Sequence, residues 1–103
     1  MSIKKQYLKK KPLCKITFRL QKEEVNNETK KIHVVGEFNK WDKNATQMKC
    51  YKNGSFSATI DLDLNREYQF RYLVNGVDWE NDRDADTYVH CPYGNCDNSV
   101  IIT

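Results

Sequence analysis

Two tryptophans, Trp41 and Trp79, are the residues best placed to do chemistry in this chain. Each follows an alternating, strand-like run. Each sits among polar or charged neighbours, Asp42-Lys43-Asn44 for the first and Asp78 and Glu80 for the second. Neither is in phase with an apolar set that would carry it into a core. An indole exposed on a loop or strand end is a flat, electron-rich surface. A pyranose ring presents weakly positive C–H bonds on its flat faces, so the two surfaces match in size and polarity. The sugar hydroxyls stay at the rim, where Arg71 supplies a fork of donors and Asn98 supplies both a donor and an acceptor. The same groups also suit a peptide, or the stacked bases of a single-stranded nucleic acid.

Catalysis has a weaker basis. Glu80, Asp82, Asp84 and Asp86 are dense, but general acid–base work needs a carboxyl shifted by burial in a cleft. With Asn81 and Arg83 between them, they read as a solvent-exposed acidic loop. No nucleophile elbow, phosphate loop or metal-binding helix motif occurs. The four cysteines, Cys14, Cys50, Cys91 and Cys96, match no zinc spacing, and His33 and His90 are isolated. Cys14 and Cys50 fall in strand patterns and read as small apolar fillers. Cys91 and Cys96 bracket the turn Pro92-Tyr93-Gly94-Asn95 and are close enough in sequence to pair, although free thiols fit a reducing compartment. No metal or cofactor is expected.

The elements that position the tryptophans are short strands. Cys14, Ile16, Phe18 and Leu20 alternate with Lys15, Thr17 and Arg19. Ile32, Val34, Gly36 and Phe38 share a face, and His33, Val35 and Glu37 share the other. A weaker run spans Gln47 to Tyr51. Phe56, Ala58, Ile60 and Leu62 oppose Ser57, Thr59 and Asp61. Tyr68, Phe70, Tyr72 and Val74 oppose Gln69, Arg71 and Leu73, and a last run covers 99–103. Asn53-Gly54 and Asn75-Gly76 are tight hairpin signals. Residues 23–31 read as a connection, and no helix is expected. This pattern predicts an all-β, antiparallel two-sheet sandwich.

With 103 residues the chain makes one domain. That is too short for a catalytic barrel, which needs about 250 residues. No apolar run approaches the ~20 residues of a membrane span, and the N-terminus has no signal-peptide pattern, so a cytoplasmic location is expected. Net charge is +3, yet residues 1–22 hold eight Lys or Arg and no acid, leaving −5 for the rest. Residues 1–12 read as a basic, solvated lead-in to a domain at 13–103. No recognition-helix or RNA-binding strand motif accompanies the arm, so nucleic acid is not the expected partner.

Taken together, Gly36-Glu37-Phe38-Asn39-Lys40-Trp41, Asn53-Gly54-Ser55-Phe56, Glu67 to Gly76 with Trp79, and Asp97-Asn98-Ser99-Val100-Ile101 resemble carbohydrate-binding module family 48. This is the isoamylase N-terminal, early-set domain. It is similar to the glycogen-binding domain of the beta subunit of AMP-activated protein kinase, here in the style of a stand-alone bacterial version. The resemblance implies an immunoglobulin-like sandwich and a non-catalytic module for α-glucan, acting beside glycogen- or starch-metabolising enzymes. It implies stacking by Trp41 and Trp79 and polar contacts from Arg71 and Asn98. It also implies insertion of Tyr93 against the glucan, and Lys40 adds a further polar contact. The other reading is a protein-interaction or regulatory sandwich without strong sugar binding.

Overall fold

Period-two apolar sets fold as strands because alternate side chains then share one buried face while the backbone pairs with its neighbours. A computed structural model of the chain describes residues 3–25, 28–82, 85–90 and 97–103. Among the described residues nine strands form in chain order: β1 (Ile3–Tyr7), β2 (Leu13–Leu20), β3 (Ile32–Gly36), β4 (Lys49–Cys50), β5 (Phe56–Asp63), β6 (Glu67–Val74), β7 (Asp78–Glu80), β8 (Thr87–His90) and β9 (Asp97–Ile102). They make two antiparallel sheets. One has the order β1-β2-β5-β4. The other has the order β3-β6-β9-β8, with β7 also paired to β6. The expected immunoglobulin-like sandwich is what forms.

The inward sets meet as expected. Cys14, Ile16 and Phe18 from the first sheet lie against Ile32, Val34, Phe70, Tyr72 and Ile101 from the second. Aromatic rings occupy the centre. Phe18 and Phe70 have centroids 5.1 Å apart, and Phe70 and Tyr72 are 5.7 Å apart, nearly perpendicular. Such pairs add about 0.5–1.5 kcal/mol each beyond their burial. Burial also pushes the Cys14 thiol up from its ordinary range, since a thiolate there would lose its hydration.

Several expectations are corrected. Phe38 is not a strand residue: the chain leaves β3 into a 3-10 turn over Glu37–Asn39, and Phe38 packs on the core from there. Cys50 is exposed on the two-residue edge strand β4 rather than filling the core. The acidic stretch is not wholly solvated. Asp82 is 2% exposed. Its carboxylate accepts the Tyr72 hydroxyl, its carbonyl accepts the Tyr88 hydroxyl, and its N–H donates to Ser99 Oγ at 2.9 Å. Asp86 accepts Lys5 Nζ at 2.6 Å and Ile102 N–H at 2.7 Å. That lysine belongs to β1, which draws the basic segment into the first sheet along β2. Asp84 and the Cys91–Cys96 pair lie outside the described residues.

Candidate functional site

Of the candidates, Arg71, Trp79 and Asn98 lie on the β3-β6-β9-β8 sheet with its β7 strand, and Lys40 and Trp41 lie on the loop after β3. His33 pairs with Leu73, and Leu73 pairs with Trp79, so these three form one cross-strand row pointing away from the core. Val35 pairs with Arg71 in the adjacent row. Outward residues of a sandwich sheet are commonly wet, yet Val35 is 0% exposed and Leu73 3%. His33 is buried as well, and its Nδ1 finds no hydrogen-bond partner among the described residues. Something therefore covers this face.

The loop after β3 passes this face, since its Lys43 Nζ reaches the ring of Trp79. Gly36 starts it, because β6 comes so close that a Cβ would stand 2.5 Å from the Gln69 carbonyl and 2.7 Å from the Phe70 Cβ. Glu37 then accepts the Gln69 N–H at 2.7 Å. Asn39 pins the turn. Its Oδ1 accepts the Gly36 N–H at 3.0 Å, and its Nδ2 donates to the Val34 carbonyl at 2.8 Å and to Thr46 Oγ1 at 3.2 Å. Lys40 and Trp41 follow, both left-handed, with φ of 57° and 58°. Side chains rarely adopt that conformation, which costs about 1–2 kcal/mol per residue, so it persists where the surroundings over-determine it. Here the Trp41 N–H donates to the Gly36 carbonyl at 2.8 Å. The chain then returns along β3, with the Val34 N–H on the Thr46 carbonyl and the Met48 N–H on the Ile32 carbonyl.

Trp79 is delivered by the second hairpin. Asn75 and Gly76 both have positive φ, 54° and 74°, the pairing a tight two-residue turn demands. The Asn75 side chain ties this turn to the preceding connection through the N–H groups of Lys30 and Lys31. Trp41 is 39% exposed and Trp79 40%. Lys43, two residues past Trp41, places its Nζ 5.9 Å from the centroid of the Trp79 ring. Trp79 stands two strands in from the β3 edge, so the loop reaches across the sheet. The loop that carries Trp41 thus comes within reach of Trp79 through Lys43.

Beside them is a polar set. Arg71 Nε donates to Asn98 Oδ1 at 2.6 Å, and Asn98 Nδ2 donates to Gln69 Oε1 at 2.9 Å. Asn98 lies within β9, not in a loop before it, and is 6% exposed. It therefore holds the guanidinium more than it faces solvent. Lys40 is exposed at the turn. Tyr93 lies outside the described residues. Asn39, Lys43 and Gln69 are the partners that sequence reasoning did not single out. Asn39 had a signal, an amide between two strand-like runs beside Gly36. Lys43 and Gln69 had none, since their roles come from strand crossing. Among the described residues no group of three His, Cys, Asp or Glu is placed to hold a metal ion. No helix among them is long and apolar enough to cross a membrane.

Partly exposed indoles, a braced cation and amides are groups suited to hold a ligand by stacking and hydrogen bonding. A family described as "Glycogen recognition site of AMP-activated protein kinase" matches residues 23–103. Over 59 residues the chain is 34% identical to a 1,4-alpha-glucan branching enzyme of Butyrivibrio fibrisolvens. That match covers 57% of this chain but 9% of the enzyme, so the chain spans a small part of that relative's length.

Proposed function

The chain belongs to the family of glycogen recognition sites of AMP-activated protein kinase, and from that premise we propose that this glucan-binding module holds α-1,4-linked glucan against Trp41 and Trp79. The family is a non-catalytic carbohydrate-binding module. Glycogen, starch and maltooligosaccharides share the flat glucose faces on which indoles stack. Arg71, braced by Asn98, supplies hydrogen bonds to the hydroxyls, joined by Lys40, and Tyr93 inserts against the glucan. The observation that supports the reading is that both indoles are partly exposed, that Lys43 of the Trp41 loop lies over Trp79, and that Arg71 is braced by Asn98 and Gln69.

The module itself performs no hydrolysis in this reading. It keeps a glucan-metabolising enzyme near its polymer, a role the similarity to part of a branching enzyme supports. A cytoplasmic location suits the free thiols of Cys14 and Cys50. Affinity falls in the micromolar to millimolar range, about −4 to −8 kcal/mol, because a few exposed stacks must offset the ordering of the ligand. Titration of labelled protein with maltoheptaose tests it. The indole N–H signals of both tryptophans shift at millimolar sugar, and Trp79→Ala removes the binding. Unmoved indole signals would end this assignment.

A further inference from the structure

The first sheet also presents a built surface. On its outward side, Ser57 and Thr59 of β5 pair with Arg19 and Thr17 of β2. Tyr51, which follows β4, lies over this row and is 44% exposed. Its ring is held from two directions. Ser57 Oγ donates to the Tyr51 hydroxyl oxygen at 3.0 Å, and Lys49 Nζ stands 5.4 Å from the ring centroid. Thr17 Oγ1 and Thr59 Oγ1 are 3.2 Å apart alongside. A groove of about 430 Å³ runs here, from Tyr51 to Thr17 and Arg19.

A second groove of about 510 Å³ shares Tyr51, Ser57 and Thr59 with the first. It exists because β4 is two residues long and pairs only with Phe56 and Ser57. Beyond that point the β5 edge is open, and the segment from Ala45 to Lys49 forms the opposite wall. That segment is the continuation of the Trp41 loop. Gln47 within it is bridged to His33, in the same cross-strand row as Trp79. The two grooves therefore form one track that begins beside the tryptophan loop and turns round the sheet edge. Both volumes fall in the ~300–1,000 Å³ range of ligand sites.

We propose that this track is a second contact surface for the same glucan, taking glucose units beyond those stacked on Trp41 and Trp79; it rests on the function proposed above. The lining chemistry favours a neutral polyol. It is dominated by hydroxyls and amides, contains one exposed aromatic ring and two cations, and has no carboxylate. Each hydroxyl combines one donor with two acceptor positions, matching the groups of a sugar in either sense. The α-1,4 linkage turns each glucose relative to the last, so a long chain curves and follows an edge rather than running straight past it. Short oligosaccharides then use the tryptophans alone, and long ones gain the Tyr51 groove as a tethered second contact.

The test compares maltotriose with a long maltodextrin on the labelled full chain. Maltotriose shifts the signals of Trp41 and Trp79, and the dextrin shifts in addition the amides of Tyr51, Ser57 and Thr59. Tyr51→Ala weakens dextrin binding roughly threefold to tenfold and leaves maltotriose affinity within about twofold. Arg19→Gln, an exposed change that leaves the ring in place, weakens the dextrin in the same direction. Dextrin shifts confined to the tryptophans, or full dextrin affinity in both variants, would overturn the track while the proposed function stands. Groove shifts with unmoved tryptophans would overturn the proposed function and the continuity of the track together. No shift anywhere sinks both.

Discussion

The two outward faces of the sandwich are built on different principles. Over β3, β6 and β7, the outward positions include buried apolar residues, Val35 and Leu73, and the adjoining loop has two left-handed residues held by backbone bonds and by Asn39. Over β2 and β5, the outward positions are Thr17, Arg19, Ser57 and Thr59, with Arg19 and Thr59 exposed, Thr17 and Ser57 half-buried, and the Tyr51 hydroxyl held by Ser57. The first face holds buried apolar side chains like a second, small core, and Trp79 shares a cross-strand row with one of them. The second is a plain sheet surface with a groove. A rigid, strained face suits a platform that must hold two rings in fixed relation. An open hydroxyl-lined face suits looser contacts made after the first.

Mutations break or sharpen that contrast. The largest effect is expected from Leu73→Ala, which empties a buried outward position and costs about 2–5 kcal/mol. The matching change Thr59→Ala on the open face stays within about 0.5 kcal/mol. Denaturant unfolding of both variants measures the difference, and equal losses would show that the covered face is no second core. Asn39→Ala comes next. It removes bonds to Gly36, Val34 and Thr46, costs about 1–3 kcal/mol, and frees the Trp41 turn. Maltoheptaose affinity should then fall about tenfold. Unchanged affinity in a destabilised protein would separate the loop's fold from its sugar contact. The smallest effect is Lys40→Gly. Relief of the left-handed strain raises stability by about 0.5 kcal/mol in thermal melts. A loss of sugar affinity in that stabilised variant would isolate the lysine's own contact.

Much of this architecture was legible in advance because the alternating runs are unusually clean. The sets beginning at Cys14, Phe56 and Tyr68 went inward as their period required. Asn75-Gly76 made the tight hairpin that its backbone freedom allows. The tryptophans were readable as outward because each fell out of phase with an apolar set. What escaped reading depends on partners far along the chain. β1 joins the sheet although its segment is strongly basic, because Lys5 finds Asp86 and the Ile102 carbonyl across the sandwich. Asp82 is buried because Tyr72, Tyr88 and Ser99 converge on it. Asn98 looked like a surface amide but serves as a bracket between Arg71 and Gln69. Leu73 falls on the outward set by its period, yet it is buried beside Trp79 in the cross-strand row.

Sequence alone therefore determined which side of each strand a residue occupies, and where the chain turns. Period and turn chemistry are local properties, settled within a few residues by backbone geometry. Only the tertiary structure decided which outward face is sealed, which polar groups are paired, and that Lys43 comes to lie over the ring of Trp79. Those outcomes depend on loop path and strand crossing, which bring together groups that no short stretch of chain can see.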